Sequence, residues 1–260
     1  MKKFVLALVI ITLFAFVLPI KNVKILMAGD STMTIQPRSK QIFDSIMGKI
    51  IDEPFPVRGW GQMLPDFFSK NVTIQNFAES GKSTKSFMTA GLWTRLLANL
   101  DSGEYVVIEF GHNDELNNLD RHTSPEEYEA NLLKFISDVK GKGGIPILCT
   151  PVASRKFINH KLVMTLQPYS NIVRKIAKEK NILFIDMEKK GAEIIKKYGE
   201  KGSEKLFVTL NPGENKNFPN GVKEKTHFNE LGATLMANAF IQGLKELKLD
   251  DLTCHLKKNN

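Results

Sequence analysis

Five short apolar runs separated by amphipathic segments predict an α/β protein, a three-layer α/β/α sandwich built on a five-stranded parallel sheet. Two observations carry this. The runs at residues 23–28, 72–76, 105–110, 145–150 and 182–186 are nearly continuous in apolar character, as strands are when helices cover both faces of a sheet. The segments between them repeat apolar residues at helical spacing. The 260 residues show no internal repeat and no linker, so residues 21–260 read as one domain.

The first segment stands apart. Lys2 and Lys3 precede an apolar run over residues 4–18, broken only by Thr12 and closed by Pro19. That run is short for a spanning helix, which needs about 20 residues. It suits a signal-peptide core, although Phe14-Ala15-Phe16 is a poor cleavage site. Residues 1–20 therefore read as an export signal or N-terminal anchor, and the protein as exported.

The later elements follow in order. The first strand runs into Gly29-Asp30-Ser31-Thr32. The second, at 72–76, leads to Ala78-Glu79-Ser80-Gly81-Lys82-Ser83, and the third to Gly111-His112-Asn113-Asp114. A helix follows Ser124, with Pro125 at its first position and Glu127 completing a capping box. Tyr128, Leu132, Phe135, Ile136 and Val139 share one face of it, and Gly141 stops it. The fourth strand carries Pro146 at its start, where a missing N–H is tolerated. Residues 201–225, rich in Gly, Asn and Pro, read as a long loop. A last helix after Asn229 presents Met236, Phe240, Leu244 and Leu247 on one side.

Composition narrows the classes. With 42% hydrophobic and 25% charged residues, the chain is neither disordered nor low-complexity. Two cysteines make neither a staple framework nor a cysteine zinc site; Cys149 reads as a buried thiol rather than a partner of Cys254. The formal charge of +8 comes from scattered lysines, which read as a solubilising surface rather than a nucleic-acid face.

In an open parallel sheet, functional groups collect at the carboxyl ends of the strands. Ser31 lies at one such end, where a turn can expose its hydroxyl and a following helix would aim free N–H groups at the same spot. Its bland alternative is a helix cap. Asn113 and the Gly81 backbone can each donate N–H groups to an oxyanion, though either can equally serve a loop. His227 can act as a base, and Glu224, three residues earlier, can reach its Nδ1. His112 reads as a loop residue positioning Asn113. Trp60 reads equally as a sugar platform or a core residue. His122, His160 and His255 read as surface residues.

Taken together these blocks resemble the SGNH (GDSL-type) hydrolase superfamily, whose four blocks are matched in order by Gly29-Asp30-Ser31, Gly81, Asn113 and His227. Further runs are similar to the rhamnogalacturonan acetylesterase group, carbohydrate esterase family 12. They include Gly59-Trp60-Gly61-Gln62, Ser80 to Phe87, Glu109 to Asp114, Thr150-Pro151-Val152-Ala153 and Thr226-His227-Phe228-Asn229. The resemblance implies a flavodoxin-like fold and a serine esterase that works through an acyl-enzyme. Ser31 would be the nucleophile, His227 the base and Glu224 its orienting acid. The Ser31 N–H, the Gly81 N–H and the Asn113 side chain would form the oxyanion hole, with Trp60, Lys82 and His112 toward the substrate. Two positions depart from the group: Glu224 stands for the usual Asp, and Lys82 for an Arg, whose planar fork a lysine does not reproduce.

The implied substrate is an acetylated polysaccharide of the rhamnogalacturonan or pectin type. No metal or organic cofactor is required, no membrane partner is expected unless residues 1–20 are retained, and a monomer is expected. The alternatives are a lipolytic or thioester acyl hydrolase of the same fold and a non-catalytic carbohydrate-binding protein.

Overall fold

The apolar runs become strands whose side chains alternate between two cores. The computed structural model describes residues 22–117 and 120–258. In β1 (Val23–Gly29), Ile25 and Met27 point to one face while Leu26 and Ala28 point to the other. In β3 (Tyr105–Glu109), Tyr105 and Val107 oppose Val106 and Ile108 in the same way. With β2 (Val72–Asn76), β4 (Ile145–Cys149) and β5 (Leu183–Ile185), they form a five-stranded, all-parallel sheet of order β2-β1-β3-β4-β5. The expected strands are thus present, each within a residue or two of its expected ends.

Helices cover both faces. On one lie α1 (Thr84–Thr89), α2 (Leu92–Ala98), α3 (Pro125–Gly141) and α4 (Gln167–Glu179), contributing Phe87, Trp93, Phe135 and Val173 to the core. On the other lie α5 (Met187–Gly202), kinked at Gly199, and α6 (Glu230–Glu246), contributing Ile195, Met236 and Phe240. The capping box of α3 forms as expected: Ser124 Oγ accepts from Glu127 N–H at 3.2 Å, and Glu127 Oε2 accepts from Ser124 N–H at 2.8 Å. Gly141 is the last helical residue, and the chain turns away after it, with Gly144 N–H returning to Val139 O at 2.9 Å. Asn229 caps α6 by accepting from Gly232 N–H at 3.0 Å.

Two features depart from expectation. Residues 201–225 are not one loop. They hold β6 (Phe207–Leu210) and the start of β7 (Val222–Phe228), an antiparallel pair whose second strand carries Glu224 and His227. The apolar, β-branched run of β6 was masked by the Gly, Asn and Pro residues after it, and β7, rich in lysine, has no apolar alternation to betray it. No helix follows Ser31 either. Residues 31–34 form a turn in which Met33 and Thr34 N–H donate to Asp30 O. The chain then enters a second hairpin, Ser39–Asp44 with Lys49–Pro54, joined to the 211–221 loop by Asn215 Nδ2 donating to Pro54 O at 2.7 Å. The proposed export segment lies outside the described residues.

The strand order reverses between β2-β1 and β3, and this switch point is where open α/β sheets place their sites. The turn after β1 is pinned there by the segment Gly59–Trp60. Trp60 N–H donates to Thr32 O at 2.8 Å, and a Cβ added at Gly59 would lie 2.1 Å from Thr34 O. We expect Gly59→Ala to destabilise the protein by about 1–3 kcal/mol or more, since backbone rather than a movable side chain must give way. Gly141→Ala, with open space around the added methyl, should be neutral or stabilise by up to ~1 kcal/mol. Urea unfolding of the two variants distinguishes them; equal midpoints would refute the close-approach argument.

Candidate active site

Ser31 sits on the turn after β1, and His227 near the end of β7, 196 residues later. Their side chains meet: His227 Nε2 and Ser31 Oγ are 3.0 Å apart. The β6–β7 pair is carried to the sheet by Arg58, whose N–H donates to Phe228 O at 2.9 Å, and by Phe228, which is fully buried. Glu224 Oε2 lies 3.2 Å from His227 Nδ1. The three groups therefore form a line from carboxylate to imidazole to hydroxyl. With Glu224 accepting from Nδ1–H, Nε2 is left as the acceptor facing the Ser31 hydroxyl.

The electrostatics follow from this line. The hydrogen bond from Glu224 holds the His227 pKa above its ordinary value; burial opposes the shift, and the negative charge of Asp30 adds to it. The same bond holds Glu224 below the usual carboxylate range. The imidazolium that forms when His227 takes a proton is thus favoured by two carboxylates on different chain segments.

Donors for an oxyanion lie around the turn. Met33 and Thr34 N–H are used on Asp30 O, and Thr32 N–H on Asp30 Oδ1 at 2.9 Å, which leaves the Ser31 N–H with no acceptor inside the turn. Gly81 has φ +79°, the left-handed region that glycine enters without a side-chain penalty. Asn113, nearly buried, donates one Nδ2 hydrogen to Lys82 O at 3.0 Å and keeps the second free. The Gly81 and Asn113 loops are bolted together by Asp114, whose Oδ1 accepts from Thr84 N–H (3.0 Å), Thr84 Oγ1 (2.6 Å) and Thr123 Oγ1 (2.8 Å). Burial raises the Asp114 pKa to about 6 despite these donors.

Several expected roles change. Trp60 is fully buried, packed on Phe240 at 5.1 Å between ring centroids, with its Nε1–H donating to Glu109 Oε2 at 2.6 Å. No face of the indole is open to a sugar. Lys82 Nζ pairs with Glu79 at 3.0 Å, and its carbonyl holds Asn113. His112 does not bond within its own loop. Its Nε2 lies 3.0 Å from Val152 O in the loop after β4, and burial keeps its pKa low. His255 is buried rather than on the surface, and His122 Nδ1 meets Asp114 O at 2.7 Å. Cys149 is a buried free thiol whose pKa burial pushes up, and Cys254 is free and exposed.

Glu109 and Asp114 lie in a family-like run but carry no role in the sequence, and Arg121 lies outside every such run. Glu109 had a signal, a carboxylate ending an otherwise apolar strand. Arg121 had none; its Nη1 reaches Gly81 O at 3.4 Å only through the path of the loop after Asn113. Among the described residues, no three His, Cys, Asp or Glu side chains are grouped to hold a metal ion.

The pairing of Glu224 with His227 has a direct readout. In an NMR titration, the His227 ring should change charge above the ordinary imidazole range. Glu224→Gln should move that midpoint down, because the imidazolium loses its partner while burial still opposes charge. An unmoved midpoint would assign the field on His227 to Asp30 alone.

Comparison with known proteins gives the family. Residues 25–240 match the family model of the GDSL-like Lipase/Acylhydrolase proteins. Over 231 residues the chain is 32% identical to rhamnogalacturonan acetylesterase RhgT of Bacillus subtilis (strain 168), covering 88% of this chain and 92% of that protein. It is 31% identical over 193 residues to the probable rhamnogalacturonan acetylesterase YesY of the same strain, covering 74% and 85% of the two chains. Among solved structures, Bacillus subtilis YxiM superposes with a TM-score of 0.69 at 23% identity, over 89% of this chain and 58% of that one. The chain thus spans little more than half the length of YxiM. Axe2, an acetylxylan esterase from Geobacillus stearothermophilus, superposes with a TM-score of 0.59 at 20% identity, over 86% and 94%. These two likenesses speak for the fold. With a serine turn at the switch point of the sheet and a histidine brought to it from the far end of the chain, the protein belongs to the GDSL-like lipase/acylhydrolase family and is a carboxylic ester hydrolase.

Proposed function

We propose that the protein is a serine acetylesterase acting on acetylated polysaccharide of the rhamnogalacturonan type. The observation that carries the chemistry is the line Glu224–His227–Ser31, with contacts of 3.2 and 3.0 Å. The substrate class rests on the 32% identity, nearly end to end, with a rhamnogalacturonan acetylesterase. Export directed by residues 1–20 fits a polymer too large to enter a cell.

In this reaction His227 Nε2 takes the Ser31 proton as Ser31 Oγ attacks the acetyl carbonyl. The charge that develops on the carbonyl oxygen is met by the Ser31 N–H, the Gly81 N–H and the free Nδ2 hydrogen of Asn113. The C–O bond to the sugar breaks, and His227 returns its proton to the leaving sugar oxygen. Water then attacks the acetyl-serine while giving a proton to His227; the bond between the acetyl carbon and Ser31 Oγ breaks, Ser31 Oγ takes that proton back from His227, and acetate leaves. Glu224 holds the tautomer that keeps Nε2 free to accept.

Ser31→Ala should abolish turnover and leave the fold intact, since the side chain lies on a turn and its removal opens no core cavity. Asn113→Ala should lower kcat by roughly 10²–10³ with little change in KM, because its hydrogen bond strengthens only as charge develops. A raised KM with an unchanged kcat would make Asn113 a ground-state binder. For substrate class, acetate release should be greater from acetylated pectic polymers than from acetylated xylan. Preference for long-chain acyl esters over acetyl would instead favour the lipolytic reading.

A further inference from the structure

Glu109 ends β3 in the middle of the sheet, and its side chain is fully buried. Three segments converge on it. Trp60 Nε1–H donates to Oε2 at 2.6 Å, Val152 N–H donates to Oε1 at 3.0 Å, and Thr32 Oγ1 lies 3.1 Å from Oε1. The same Thr32 hydroxyl lies 2.8 Å from Asp30 Oδ1. Thr32 immediately follows the proposed nucleophile.

Counting hydrogens places one proton on this pair of carboxyl groups. A threonine hydroxyl carries one hydrogen, which serves one of its two carboxyl neighbours. Facing the other, it offers only lone pairs. If Asp30 and Glu109 were both ionised, one of the two short contacts would be repulsive, and both side chains are fully buried. One proton on the pair turns both contacts into hydrogen bonds. On Glu109 Oε1 that proton points at Thr32 Oγ1, and the Thr32 hydrogen then passes to Asp30. The remaining charge sits on Asp30, within electrostatic reach of His112 and His227, whose protonated forms it favours. Were the charge on Glu109 instead, Trp60 Nε1–H and Val152 N–H would donate to it, but no cationic group would face it, with Tyr128 of α3 and Cys149 of β4 as the titratable neighbours on its flanking elements; Asp30 has one oxygen, Oδ2, buried with no partner, but its charge faces His227.

We propose that Glu109 is a positioning residue held as an uncharged carboxylic acid, which donates to Thr32 and through it fixes the Asp30 carboxylate beneath the Ser31–His227 pair. Burial and the charge of Asp30 together raise the Glu109 pKa to about 8, so the acid form prevails at neutral pH. Loss of that proton would place a second negative charge in the cluster and break the link to the residue next to Ser31. Activity therefore has an alkaline limb that Glu109 sets. A carboxyl whose folded pKa lies above its unfolded one contributes stability that is full below the unfolded value and is lost as pH rises through the folded one. Stability should accordingly fall toward pH 8. The proposal relies on Ser31 and His227 acting as nucleophile and base only for its activity readout.

The experiment compares wild type, Glu109→Gln and Asp30→Asn. One measurement is the infrared carboxylic-acid C=O band, taken above the Asp114 transition. The other is the pH profile of kcat on 4-nitrophenyl acetate. The wild type should show the band at neutral pH and lose it at alkaline pH, in step with the decline in kcat. Glu109→Gln, uncharged at every pH, should lose the band, keep kcat within about tenfold of wild type at neutral pH, and lose the alkaline limb. Asp30→Asn should keep the band but lose it at a lower pH than wild type, because the Asp30 charge no longer raises the Glu109 pKa, and should lose more activity than Glu109→Gln. A band that survives in Glu109→Gln and disappears in Asp30→Asn overturns the assignment, as does an unchanged alkaline limb in Glu109→Gln. If Glu109→Gln does not fold, the band in Asp30→Asn decides alone. Because the band is read without substrate, a wrong assignment of Ser31 or His227 would leave it in place and is detected separately.

Discussion

Where β1, β3 and β4 end, Gly29, Glu109 and Cys149 lie side by side in register, and the Glu109 carboxyl group is the polar centre of that level. Its contacts reach the turn after β1, the segment after Gly59 and the loop after β4. A carboxyl group with no access to water must be fully hydrogen-bonded or it costs several kcal/mol. Each of these contacts therefore constrains the loop that makes it. The side of the same turn that faces His227 carries Ser31. The geometry of the Ser31 hydroxyl is thus set from below, by a buried polar group, rather than by packing around the hydroxyl itself.

A second knot of the same kind secures the oxyanion side. Asp114 gathers the start of α1 and Thr123, so the Gly81 and Asn113 loops cannot move apart without stranding a buried carboxyl group. Asn113 is held in turn by Lys82 O. Donors fixed this way need little reorganisation when charge develops on a substrate oxygen, which is the condition for effective oxyanion stabilisation. The imidazole is mounted differently. It rides on β7, outside the main sheet, attached through Phe228 and the Arg58 amide. Glu224 shares that strand, so the carboxylate and the imidazole it bonds move together. The Glu224 carboxylate comes within 3.2 Å of Nδ1.

The sequence by itself determined the architecture, because burial on both faces leaves a local trace. Strands such as residues 105–109 are apolar throughout, and the helix after Ser124 shows its cap, its Pro and its apolar stripe within a few residues of one another. It also marked the strand ends on which Ser31, Gly81 and Asn113 lie, and the family blocks that contain them. Tertiary structure decided the rest. Trp60 reads equally as a sugar platform or a core residue until Glu109 and Phe240 are seen to enclose it. The strand bearing His227 is invisible locally, since a lysine-rich edge strand gains its stability from a partner rather than from its own pattern. The proton shared around Thr32 depends on two carboxyl groups that are 79 residues apart in sequence. Periodicity is a property of neighbours along the chain, whereas hydrogen-bond satisfaction and charge depend on neighbours in space, and those exist only once the chain has folded.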